Sequence, residues 1–130
     1  MVLEQQDLTG KIIGAAIEVH KELGPGFLEA LYENALCIEL RRRSIPFERQ
    51  VSIPVLYRGV EIGLHRLDLL VAGEIVVELK AIRRLDEIHF VTVRSYLHAL
   101  GKDHALLLNF AKPTLEVKRV SAARFELKAS

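Results

Sequence analysis

The sequence predicts a mixed α/β domain in the order ααβββαββ, a central sheet with helices against it. Three observations carry this expectation. The first third repeats its apolar residues at helical spacing and is broken by Gly24-Pro25-Gly26. From Phe47 the period changes to two. Between Ile75 and Ile82, six of eight residues are apolar, the pattern of an interior strand buried on both faces.

In the first helix Ile12, Ile13, Ala16, Ile17 and Leu23 share a stripe, with Asp7 or Thr9 as N-cap. Gly24 ends it and Pro25 prevents its continuation. A second helix spans Leu28 to Arg43, its core face formed by Leu28, Leu31, Tyr32, Ala35 and Leu36. Val51, Ile53, Val55 and Tyr57 then alternate with Ser52, Pro54, Leu56 and Arg58, and Arg58-Gly59 marks a turn. Ile62 to Val71 and Glu74 to Ala81 are the next strands, joined through Ala72-Gly73. Asp86 caps a third helix that reaches Leu100 and closes at Gly101. His104 to Phe110 and Leu115 to Val120 are the last two strands.

With 130 residues, half of them apolar, and no repeat or linker-like stretch, the chain reads as one domain, 1–130, able to bury a core without metal or disulfide staples. No apolar run approaches the ~18 residues of a membrane span, and no signal peptide is visible, so a cytoplasmic, membrane-free protein is expected. The lone Cys37 excludes a cysteine zinc cluster, and its place between Leu36 and Ile38 suits a buried, inert thiol. Eighteen basic and seventeen acidic residues leave no overall basic excess. Any nucleic-acid footprint is therefore local, with Arg41-Arg42-Arg43 and Arg83-Arg84 as candidates and solvated helix ends as the plain alternative. The segment Ser121 to Ser130 suggests no role.

Phosphate-loop, dinucleotide, nucleophile-elbow and His-metal patterns are absent from the sequence. What remains is a set of charges where charges are disfavoured. Glu78 and Lys80 sit inside the apolar run and share a face, and Asp68 is embedded in Leu67, Leu69, Leu70 and Val71. Two carboxylates with a backbone carbonyl and waters make an oxygen site suited to Mg²⁺ or Mn²⁺, and a neighbouring ammonium suits phosphodiester hydrolysis. A same-face ion pair on an exposed sheet is the plain alternative for these residues.

Geometry constrains the choice. With a two-residue loop Ala72-Gly73, Asp68 would pair with Val77 and Glu78 would point to the other face. A three-residue loop, Val71-Ala72-Gly73 with Gly73 left-handed, changes the parity and brings Asp68 and Glu78 together. The metal site therefore requires an odd loop or a bulge. Glu29 stands at the edge of the second helix's apolar face, and His89, Thr92, Val93 and Tyr96 share one side of the third.

The segment Leu23 to Tyr32, with Gly26, Glu29 and Tyr32 in Gly-x-x-Glu-x-x-Tyr spacing, resembles the GxxExxY proteins, a branch of the PD-(D/E)xK nuclease-like superfamily. The similarity runs from about Leu8 to Val120 and takes in Val19-His20, Phe47 to Gln50, Arg66 to Val71, Val77 to Ala81 and Leu108-Asn109-Phe110. It implies a restriction-endonuclease-like fold and a Mg²⁺- or Mn²⁺-dependent nuclease acting on DNA or RNA. Asp68 and Glu78 would hold the metal, Glu29 would complete its shell through water, and Lys80 would act on the attacking water or the phosphate. Gln50, His20, Tyr32, His89 and Tyr96 would surround them. Thr92 stands where the family commonly has a glutamine. A nuclease-like domain that binds without cleaving, or a protein-interaction module on the same fold, are the alternatives. The small surface of one domain suggests a homodimer or a partner protein.

Overall fold

The computed structural model describes residues 5–122. Its elements follow the expected order: α1 (Gln5–Leu23), α2 (Glu29–Arg42), β1 (Phe47–Tyr57), β2 (Val60–Val71), β3 (Ile75–Lys80), α3 (Glu87–Leu100), β4 (His104–Asn109) and β5 (Glu116–Ser121). The strands form one five-stranded sheet in the order β1-β2-β3-β4-β5. Only β3 and β4 run parallel, joined through α3. The apolar run is the central strand, buried over Ile75 to Leu79, as its composition requires. The Ser121 to Ser130 segment lies outside the described residues beyond Ala122.

Two apolar layers enclose the sheet. On one face α1 and α2 pack Ile12, Ala15, Ala16, Val19, Tyr32, Leu36 and Leu40 against Val77, Leu79, Leu106 and Leu108. On the other, Val93 and Leu97 of α3 meet Val76, Ala105 and Leu107. The alternate residues of β3 and β4 thus feed opposite cores, the period-two signal in three dimensions.

Both N-terminal helices are rotated from the stripes their sequences suggest. In α1 the buried apolar residues are Ile12, Ala15, Ala16 and Val19, with Thr9 and His20 buried beside them, while Ile17 and Leu23 are exposed, and Asp7 and Thr9 lie inside the helix and not at its cap. In α2 Leu28 is 76% exposed and Leu31 46%, and the buried residues are Tyr32, Glu33, Leu36, Cys37 and Leu40. Tyr32 accounts for the rotation. Its hydroxyl donates to the Gly24 carbonyl at 2.6 Å and accepts the Phe27 amide at 3.1 Å, and its ring stacks on Phe110 at 4.5 Å. Satisfying a buried hydroxyl outweighs burying the first-turn leucines. Gly26, at φ 113°, provides the backbone bend that brings the loop under this hydroxyl.

The β1–β2 ladder pairs Arg49 with Leu69 and Val51 with Leu67 and passes over Gln50, at φ 49°, and Asp68, which lie between these pairs. Leu69 and Val71 face the α1/α2 core, whereas Leu67 and Ile53 join the α3 core. The strand pair changes layers between Leu69 and Leu67, and Asp68 sits at the crossing. Beyond it the hairpin continues as an arm whose Val60, Ile62 and Leu64 are exposed.

Candidate active site

The β2–β3 ladder pairs Leu69 with Val77, Leu70 with Val76 and Val71 with Ile75. The loop is therefore Ala72-Gly73-Glu74, three residues, with the Glu74 amide bonded to the Val71 carbonyl at 2.9 Å. The odd parity that the sequence argument demands is present, one residue later than the expected Val71-Ala72-Gly73. Ala72 and Gly73 both take positive φ, 53° and 68°, so a non-glycine residue shares the strained turn.

Asp68 and Glu78 are the next facing pair, and there the backbone ladder stops. The Asp68 amide donates to Glu78 Oε2 at 2.8 Å, and the Leu79 amide donates to Asp68 Oδ2 at 2.9 Å. Each carboxylate takes the place of a ladder carbonyl, which is how two charges are tolerated at an otherwise apolar strand junction. Neither is relaxed. Burial pushes the Glu78 carboxyl up to about 8, and the Asp68 charge pushes it further in the same direction. Asp68 is raised as well, by burial and by Glu33, against the opposing effects of the Leu79 amide and Lys80.

Lys80 ends β3, half-buried, opposite Asn109 of β4. Its charge acts favourably on Asp68, Glu78 and Glu29. Glu29, at the first turn of α2, has a carboxyl raised by burial and by Asp68, with Lys80 and the Ala81 amide opposing. The four predicted groups Asp68, Glu78, Lys80 and Glu29 therefore share one electrostatic neighbourhood. Tyr96 reaches it from α3: its hydroxyl is pushed up to about 12 by burial and by the Glu78 and Asp68 charges. Gln50 reaches it from β1, its Nε2 lying 3.5 Å from Asp68 Oδ1.

The other sequence candidates are placed elsewhere. His20 Nε2 meets the Lys112 carbonyl at 2.8 Å, and its ring lies against Phe110. His89 Nδ1 accepts the Asp86 amide at 2.9 Å and so closes the start of α3. Tyr32 fixes the loop ahead of α2 and reaches the site only through the helix that carries Glu29. Thr92, in the family's glutamine position, gives its carbonyl to the Ser95 hydroxyl at 2.6 Å. Cys37 is buried, with its thiol raised by that burial, as an inert core residue should be.

Two polar residues take roles that the sequence did not assign them. Asn109 is fully buried; its side chain accepts the Ile82 amide at 3.1 Å and donates to the Ile82 carbonyl at 2.9 Å. It thereby fixes the chain directly after Lys80. A lone amide within the apolar run Ala105 to Phe110 was the available signal. Glu33, 7% exposed, accepts Gln50 Nε2 at 3.1 Å on both oxygens and Arg49 Nε at 3.2 Å. In sequence it is one more acid in a charged helix, and nothing there distinguishes it.

The donor set suits a hard divalent cation. Asp68 and Glu78 each commit one oxygen to a backbone amide, and both carboxyls are raised, first by burial and then by acidic neighbours, so a cation between them would favour their ionised forms. Among the described residues no three His, Cys, Asp or Glu side chains converge as a complete cage. Mg²⁺ sites ordinarily use one or two carboxylates and fill the remaining positions with water and substrate phosphate.

Comparison with known proteins bears on the family and the fold. The family model of the PD-(D/E)XK nuclease superfamily matches residues 6–120. Among solved structures, SSO0001 superposes with a TM-score of 0.57 at 16% identity, over 71% of this chain and 48% of its own. An alkaline exonuclease from Laribacter hongkongensis gives 0.55 at 11% identity, over 98% of this chain and 75% of its own. The chain thus spans about half the length of the first and three-quarters of the second, and at these identities the likeness is one of fold. No curated protein matches. No helix among the described residues is long and apolar enough to cross a membrane.

Proposed function

Because this chain belongs to the PD-(D/E)XK nuclease superfamily, we propose that it is a nuclease hydrolysing DNA or RNA phosphodiesters with Mg²⁺ or Mn²⁺. The observation that carries the proposal is the meeting of Asp68 and Glu78 where β2 and β3 part, with Lys80 beside them on the same strand. Asp68 and Glu78 would hold the cation, with Glu29 contributing through water, and a cation there would supply Lewis-acid charge and lower the pKa of water. Lys80 orients the attacking water or neutralises charge developing on the phosphate, and the Asn109 clamp on Ile82 keeps the chain after it in place. Tyr96 from α3 and Gln50 from β1 lie in the neighbourhood of the carboxylates. Gly26, Glu29 and Tyr32, in their structural roles, further support membership of the GxxExxY branch, with Tyr32 setting the start of the helix that presents Glu29. A second copy or a partner protein would extend the grip on a duplex beyond what one small domain offers.

Calorimetric titration of Mn²⁺ into the protein and into Asp68→Ala/Glu78→Ala tests the metal site. Saturable binding in the wild type alone is expected. Cleavage of single- and double-stranded DNA and RNA, compared with Lys80→Ala, tests turnover. A loss of about 100-fold or more in rate at retained Mn²⁺ affinity is expected, as for removal of one charge-stabilising group. Thr92, in place of the family's glutamine, favours binding without turnover as the second reading. Metal and nucleic-acid binding with no Lys80-dependent cleavage would establish that reading instead.

A further inference from the structure

The proposed metal site draws its acids from separate elements: Asp68 from β2 and Glu78 from β3 as ligands, and Glu29 from α2 through water. Something must hold α2 at a fixed distance from the hairpin. We propose that Glu33 is the positioning residue that does so, docking the helix that carries Glu29 onto Gln50, and through Gln50 setting the Asp68 carboxylate. This inference rests on the nuclease reading for its consequence and on geometry for its substance.

Glu33 lies one turn after Glu29. It is a buried acid, and its partners all come from β1: Gln50 Nε2 at 3.1 Å to both oxygens, Arg49 Nε at 3.2 Å and Arg49 Nη2 at 3.2 Å. The neighbouring Asn34 accepts a further bond from Arg49 at 2.7 Å. Gln50 lies with Asp68 between two ladder pairs, and the same Nε2 that is held by Glu33 lies 3.5 Å from Asp68 Oδ1. Its backbone is at φ 49°, a conformation that costs a non-glycine residue about 1–3 kcal/mol and persists only where the surroundings enforce it. At this backbone position the Gln50 side chain is held by Glu33. The chain of contacts ends at the Leu79 amide, which donates to the other Asp68 oxygen.

The Leu79 amide therefore reports on Asp68 without any metal. In the metal-free protein, residue-resolved hydrogen exchange of Glu33→Ala should show Leu79 exchanging about tenfold faster, the factor that about 1.4 kcal/mol represents. Val76 and Val77, in the intact part of the ladder, should keep their relative protection. Mn²⁺ affinity should fall about 10- to 100-fold, as for other groups that orient a metal ligand. In a Gln50→Ala background the same substitution should add little to either effect, because Glu33 acts through Gln50. Glu33→Met, which keeps the length and removes both acceptor oxygens, carries the same expectations where Glu33→Ala does not fold. Unchanged Leu79 exchange in a folded variant, or full additivity with Gln50→Ala, would overturn the assignment. A wild type that binds no Mn²⁺ would overturn the nuclease reading, while the exchange pattern would still decide the role of Glu33.

Discussion

The two ends of the β2–β3 pair differ in what occupies the same ladder. From Leu69 to Val71, against Ile75 to Val77, backbone groups bond to one another and every side chain is buried and apolar. One step further, at Asp68 and Glu78, side-chain carboxylates accept the amides instead. The closed end is built for stability alone. The open end holds two raised acids at a position where leucines would pack more favourably, and that cost is what marks it as a site. A strand junction accepts charge when the charge takes over the ladder's own hydrogen bonds.

The largest way to break the contrast is at the closed end. Leu69 is fully buried, and Leu69→Ala should destabilise the fold by about 2–5 kcal/mol, read from chemical denaturation, by the lost burial and the cavity left behind. The open end should respond to pH. Between the ordinary 4.5 and about 8, folded Glu78 keeps a proton that the unfolded chain has released. Stability should therefore fall as pH rises through that window, and Asp68 adds in the same direction. Glu78→Gln keeps an acceptor for the Asp68 amide but carries no charge, so it should flatten the profile. Its gain at alkaline pH should approach about 1.4 kcal/mol for each pKa unit removed, measured as unfolding free energy against pH. Saturating Mn²⁺ should reverse the wild-type slope, since the cation requires the ionised pair. The smallest effect lies in the loop. Ala72→Gly relieves a positive φ and should add roughly 0.5–1 kcal/mol to stability without altering Mn²⁺ binding.

Much of the frame was legible because strand signals are local. The period-two stretches, the Gly and Pro breaks and the apolar run around Glu78 place the strands to within two residues of the observed ends. Parity then tied Asp68 to Glu78 through the length of one loop. Helix faces were less legible. Leu28 and Leu31 fit an apolar stripe in sequence yet are exposed, because the rotation of α2 follows the partners of one hydroxyl, Tyr32, and those lie in the preceding loop.

By itself, the sequence determined the order of elements and the central position of β3, and it singled out Asp68, Glu78 and Lys80 as charges within apolar runs. These depend on alternation and composition, which neighbouring residues set among themselves. Tertiary structure alone decided that His20 and His89 serve the scaffold, that Asn109 clamps the chain after Lys80, and that Glu33 faces Gln50. A polar side chain takes its role from the group it meets, and that group lies across the fold, where spacing along the chain carries no information.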